Sequence, residues 1–92
     1  MSKLNKSLKL KISKDISWQN YFGVTYIIKE STGKIYTFEG LGAEIWNYMQ
    51  IQTEINLLCE HFKSKYINDK EIEEVCFDFI DQLKQFNLIV LE

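Results

Sequence analysis

The sequence predicts an α+β fold, a three-stranded antiparallel sheet followed by three helices, winged-helix-like with the sheet placed first. Three observations carry this. Up to Phe38, apolar and polar residues alternate at the two-residue period of strands; from Glu39 the apolar spacing lengthens to three and four, the period of helices. The strand-like segments precede the helix-like ones, with only a brief apolar run at the end, which excludes the interleaved order of a parallel α/β sheet.

Leu8, Leu10 and Ile12 alternate with Lys9, Lys11 and Ser13, the pattern of a half-buried strand whose lysines face water. Lysines on a sheet edge also discourage pairing with other chains. Residues 1–7 are expected to precede it as a flexible tail. Over residues 21–29 the run YFGVTYIIK is rich in aromatic and β-branched residues and reads as a second strand, with Phe22, Val24, Tyr26 and Ile28 on one face. Glu30, Ser31, Thr32 and Gly33 supply a turn, since Gly33 takes a positive φ without steric penalty. Residues 34–38 then return as a third strand, completing a hairpin.

Leu41, Ile45 and Met49, with Trp46 beside them, keep the i, i+4 spacing of a short amphipathic helix that Gly40 and Gly42 introduce. A second helix is expected from Thr53 as N-cap, because Ile55, Leu58, Cys59 and Phe62 form one stripe that ends near Tyr66. A third starts at Asn68, followed three places later by Glu71 in the manner of a capping box. On that helix Ile72, Val75, Cys76, Phe79, Ile80, Leu83 and Phe86 span an arc of about 140°, wider than one neighbour needs. Part of the arc is free to face something else. Residues 88–91 close the chain as a short extended segment.

A chain of 92 residues, 46% of them hydrophobic, makes one domain with one core. At this size only about 60–65% of the unfolded surface is buried, which leaves a ligand to a surface groove rather than a deep cavity. The formal charge of −2, with both signs mixed, gives no nucleic-acid footprint. The third helix argues further against one: it carries Asp69, Glu71, Glu73, Glu74, Asp78 and Asp81 against Lys70, a charge that phosphates repel. Cys59 and Cys76 form no C-x-x-C pair and sit inside apolar stripes, so they read as buried thiols of a reducing cytosol. His61 is the single histidine and reads as structural, which leaves no four-ligand zinc site. No nucleophile with a base and no positioned carboxylate pair is present, and Gly33, Gly40 and Gly42 fit neither G-x-G-x-x-G nor a P-loop. Catalytic residues, metal ligands and cofactors are therefore not expected. Lys3, Lys6, Lys9, Lys11 and Lys14 are followed by no apolar run that could target or span a membrane, so the protein is expected in the cytoplasm.

The stretch Ser31-Thr32-Gly33-Lys34-Ile35-Tyr36-Thr37-Phe38-Glu39-Gly40-Leu41-Gly42-Ala43-Glu44-Ile45-Trp46 resembles the hairpin and first helix of the precursor-peptide recognition elements. These small domains serve pathways of ribosomally made, modified peptides, and include the PQQ-biosynthesis peptide chaperone and the stand-alone leader-binding proteins of lasso-peptide clusters. The family pattern is a T-G-x-x-x-L-N turn and strand, then G-A-x-I-W. Gly42-Ala43-Glu44-Ile45-Trp46 fits that box, and Phe79-Ile80, Leu83 and Leu88-Ile89 resemble the family's closing F-L-x-x-L-x-x-x-G-L-I. The likeness runs over residues 21–92. Phe38-Glu39 stands in place of the family's Leu-Asn, Ile51-Gln52 in place of the glycine before the second helix, and Asn87, which tolerates a left-handed C-cap, in place of the glycine before the last strand.

The resemblance implies a non-catalytic adaptor. The leader segment of a precursor peptide would add as a fourth strand to Lys34, Ile35, Tyr36, Thr37 and Phe38, its side chains entering a cleft walled by Ile72, Val75, Cys76 and Phe79. It implies two partners, the leader and a modifying enzyme (a leader peptidase, a radical-SAM enzyme or a cyclase) that docks by the first-strand lysines or an exposed Phe77. Two other readings compete, a small winged-helix transcription regulator and a structural subunit without a peptide ligand. A basic recognition helix would mark the regulator; a third-strand edge covered by residues 88–91, or by a second copy, would mark the subunit.

Overall fold

Two turns with positive backbone φ shape the N-terminal half of the protein, in a computed structural model that describes residues 8–92. The strands are β1 (Leu10–Ile12), β2 (Ile16–Tyr21), β3 (Val24–Lys29) and β4 (Lys34–Glu39). Phe22 and Gly23, at φ 51° and 78°, make the two-residue bend between β2 and β3, whose twist suits a tight hairpin. Gly33, at φ 74°, closes the longer turn between β3 and β4. The sheet runs β2-β3-β4 and is antiparallel throughout. A three-stranded antiparallel sheet therefore precedes α1 (Leu41–Met49), α2 (Ile55–Lys65) and α3 (Ile72–Gln85), as the sequence predicts.

Which strands make that sheet differs from expectation. The run 21–29 is cut by the Phe22-Gly23 bend, and Ile16–Tyr21 becomes the sheet's first strand. The expected first strand pairs instead with β5 (Ile89–Leu91) in a separate two-stranded sheet. Burial falls on the alternate row of β3. Thr25 and Ile27 point to the core, whereas Tyr26 and Ile28 turn outward and Phe22, in the bend, is 89% exposed. The more apolar row, Val24, Tyr26 and Ile28, is thus not the buried one, so alternation alone does not choose the face; the bend sets the register and the register sets the face. Thr25 is tolerated inside because its hydroxyl bonds Asn20 and accepts a hydrogen bond from Asn47 Nδ2 at 3.3 Å.

The helices lie over the inner sheet face, and Ile45, Trp46 and Met49 of α1, Ile55, Leu58 and Phe62 of α2, and Ile80 and Leu83 of α3 fill the core with Ile27 and Leu88. Neither expected cap forms. The Thr53 carbonyl accepts the Leu10 N–H at 2.8 Å, so that residue fastens β1 while Glu54 precedes α2 without a side-chain cap. Before α3, Asp69 Oδ1 takes the Glu71 N–H at 3.0 Å, in place of a box built on Asn68. Phe77, expected outside, is 7% exposed and packs in the core. Cys59 and Cys76 are buried, with their Sγ atoms 3.3 Å apart. The expected tail, with Lys3 and Lys6, lies outside the described residues.

Two polar ties lock these layers. Asn87, at φ 61°, ends α3 in the left-handed conformation, and its carbonyl accepts hydrogen bonds from Ser13 Oγ at 2.9 Å and Lys29 Nζ at 3.2 Å, joining the sheet to the C-terminal strand. Glu44 on α1 accepts from Lys65 Nζ at 2.6 Å and from the Tyr66 hydroxyl at 2.6 and 2.7 Å, joining α1 to the end of α2. The Lys65 hydrogen bond, then that of Tyr66, holds the Glu44 carboxyl below its ordinary value of 4.5. A carboxyl so lowered stabilises the fold above its unfolded pKa, and that contribution is lost as pH falls through the folded one. The denaturant midpoint of the wild type should therefore drop with acid below about pH 4.5 more steeply than that of Glu44→Gln, as urea melts over that range would record.

Candidate functional site

The edge of β4 is set by which backbone groups the ladder uses. Glu30 N–H bonds the Asp15 carbonyl at 2.8 Å, which fixes the alternation across β2 and β3: Val24, Tyr26 and Ile28 bond toward β2, and Thr25, Ile27 and Lys29 bond toward β4. Their partners Phe38, Tyr36 and Lys34 bond back into the sheet. The N–H and C=O groups of Ile35, Thr37 and Glu39 consequently face the open side. Because β5 is paired with β1, no described strand covers that side.

Helix α3 runs beside this edge. Phe38 meets Phe79 edge-to-face at 5.0 Å between ring centroids, and Tyr36 meets Phe86 at 5.0 Å, so β4 and α3 lie antiparallel. Phe79 packs closely over residue 42, which has no side chain. A Cβ there would stand 3.2 Å from Phe79 Cε1, which gives the glycine of the G-A-x-I-W box a packing reason. Outward from Phe79, Val75, Asp78, Asp81, Gln82 and Gln85 line an open hollow of about 510 Å³. The hollow is lined by α3 residues and adjoins the β4 edge at the Phe38–Phe79 contact.

The residues expected to bind separate into two groups. Lys34, Ile35 and Thr37 are exposed on β4, Tyr36 and Phe38 are half-buried with side chains toward α3, and Phe79 and the 41%-exposed Val75 floor the hollow. Ile72 and Cys76 do not wall a cleft. They are 2% and 0% exposed, and Cys76 faces Cys59 of α2, because a turn of about 100° per residue carries both away from the Val75 side of the helix. Asp78, Asp81, Gln82 and Gln85 were not expected in the groove. For three of them the signal was available, since Asp78, Gln82 and Gln85 recur three, seven and ten places after Val75 and so share its side of the helix, whereas Asp81 lies about 120° round from Val75.

Elsewhere, His61 stacks on Tyr48 with centroids 3.8 Å apart, half-buried beside a second hollow that Glu44 and Lys65 also line. Among the described residues, no group of three or more His, Cys, Asp or Glu side chains could hold a metal ion, and no helix is long and apolar enough to cross a membrane.

Comparison with known proteins adds one likeness. The solved structure of TbiB1 in complex with the TbiA(beta) leader peptide superposes with a TM-score of 0.77 at 19% identity, over 86% of this chain and 93% of that one. This is the fold of a protein that holds a leader peptide. The resemblance read from the Gly42–Trp46 box is met at the level of fold. No protein-family model matches the chain, and no curated protein matches it.

The Gly42–Phe79 contact predicts a coupling. Gly42→Val should destabilise the protein by about 1–3 kcal/mol through overpacking against the ring. Phe79→Leu, which gives that side chain room to move, should recover part of the loss; a double-mutant cycle of urea melts in which the two effects simply add would refute the contact.

Proposed function

We propose that the chain is a non-catalytic adaptor of the precursor-peptide recognition type. The leader segment of a ribosomally made precursor pairs with β4 as a fourth strand of the sheet, and its inward side chains rest in the hollow of α3. The observation that carries this reading is the open edge of β4, with the amides of Ile35 and Thr37 unused by the ladder and an accessible groove alongside. The fold shared with a leader-bound protein supports it. The same open edge speaks against a structural subunit whose edge is closed by residues 88–91, and the acidic α3 speaks against a DNA-binding regulator.

In this reading the whole chain acts as one cytoplasmic binding domain. Ordering an unstructured leader costs about 2–5 kcal/mol, so its affinity falls between micromolar and tens of nanomolar, on the order of −8 to −10 kcal/mol. The second partner is the enzyme that modifies or cleaves the precursor, and the adaptor raises the local concentration of substrate beside it. Peptidase, radical-SAM enzyme and cyclase fit this role alike.

The test is a ¹H–¹⁵N titration of the full chain with the leader half of the small precursor encoded beside it. Shifts should concentrate at Ile35, Thr37, Glu39, Val75 and Phe79. Thr37→Pro removes an N–H that no ladder bond uses, so it should leave the fold intact and weaken the leader about tenfold or more, whereas Tyr36→Pro breaks the hairpin. The absence of shifts at high micromolar leader would sink the proposal.

A further inference from the structure

Resting on β4 as a peptide-binding edge, we infer that the groove selects by charge: it takes a strand carrying Lys or Arg on the same face as an apolar anchor. The anchor sits on Val75 and Phe79, and the cation faces Asp78 and Asp81.

The placement follows from the helix. Phe79 and Phe86 touch β4. At about 100° per residue, the surface of α3 then turns away from the sheet through Val75 and Gln82 to Asp78, Gln85 and Asp81. A strand on the edge of β4 thus meets an apolar strip first and carboxylates next. The described ion pairs, Lys29–Asp15 and Lys65–Glu44, lie on other parts of the molecule, so neither aspartate is neutralised by one; Asp81 accepts a hydrogen bond from Gln85 Nε2 at 3.2 Å. The basic residue of α3, Lys84, projects about 120° round the helix from Asp78 and leaves it unopposed, but stands about 60° and three residues from Asp81, so Asp78 is the stronger of the two in facing a cation.

The strand leaves that sign standing. Lys34 shares the inward row of Tyr36 and Phe38 but lies past the Tyr36–Phe86 contact, at the end of the groove away from the Phe38–Phe79 contact and Asp78. Spacing agrees as well: side chains on one face of a strand recur every ~6.7 Å, close to the ~5.4 Å of a helical turn, so residues two apart in the peptide meet successive turns of α3. Surface ion pairs are individually weak, so the discrimination lies chiefly in rejecting acidic strands, which would face like charge.

The experiment is selection of a displayed library of random dodecapeptides on the immobilised full chain and, in parallel, on the Asp78→Asn, Asp81→Asn double variant. Both substitutions are isosteric and at the surface. The wild type should enrich peptides with Lys or Arg two places from Leu, Ile, Val, Phe or Tyr, and the double variant should keep the apolar preference while losing the basic one. A synthetic peptide from the selected pool should weaken about tenfold when its cation becomes Glu, and its affinity should fall as salt is raised. Enrichment of apolar strands with no basic preference, or a preference that the double variant retains, would overturn the charge inference and leave the adaptor standing. If Thr37→Pro recovers the selected peptides as well as the wild type does, or if nothing is enriched, the edge itself is not a peptide site and both readings fall.

Discussion

The pairing of the two chain ends decides what the rest of the molecule can offer. β1 and β5 bond to each other, Leu10 N–H reaches the Thr53 carbonyl, and Ser13 N–H reaches that of Leu88 at 3.1 Å. A C-terminal strand left loose beside a three-stranded sheet would add to its nearest open edge, because unpaired ladder groups are a template for any extended segment. Committing it to β1 removes that competitor from the groove. Polar and charged residues then guard the edge: Lys34, Thr37 and Glu39 are all exposed along β4.

A second constraint couples core and groove. Ile45 and Trp46 are wholly buried in α1, three and four residues beyond Gly42, and Phe79 rests on that glycine while also meeting Phe38. The distance between the edge of β4 and the wall of α3 is thus fixed by side chains that also fill the core. The Glu44 link to Lys65 and Tyr66 holds the same helix from its other side. In the proposed function this matters energetically: a groove set before binding leaves only the peptide to be ordered.

The sequence conveyed the helices better than the sheet. Stripes such as Ile55, Leu58, Cys59 and Phe62 have a single possible buried face, so position and burial follow together. Strand β3 buries Thr25 and Ile27 rather than its more apolar row, and that face depends on a bend inside what the sequence presents as one strand; Phe22 at positive φ is unusual for a bulky residue, so composition gives no warning. Segment Ile16–Tyr21, an edge strand with polar Ser17 and Gln19 on its outer face and polar Asn20 on its inner one, shows alternation only once its partner is known. Of the expected site, the strand half was legible from the hairpin alone. The helix half was sought among apolar residues, and that rule chose Ile72 and Cys76, which the core had already claimed, over Asp78 and Gln82, which face the hollow.

The division of labour within the groove follows from the strengths of its parts. Main-chain bonds to Ile35 and Thr37 are blind to side chains, and each contributes only about 0.5–1.5 kcal/mol net, so alone they would hold many peptides in several registers and none tightly. A one-residue slip of an added strand exchanges its inward and outward side chains. Along this groove that exchange would carry an apolar residue off Val75 and Phe79 to the outer face beside Ile35 and Ile28, which are cross-strand partners there. Register is therefore chosen where the two faces differ most. The inner face sets Asp78 and Asp81 beside the apolar strip of Val75 and Phe79, whereas the outer face sets Ile35 and Ile28 beside Thr37, with Glu39 only at its end, so a cation next to an apolar anchor fits the inner face better. A single charged residue in the peptide could thereby set the register of the whole strand while adding little to its affinity.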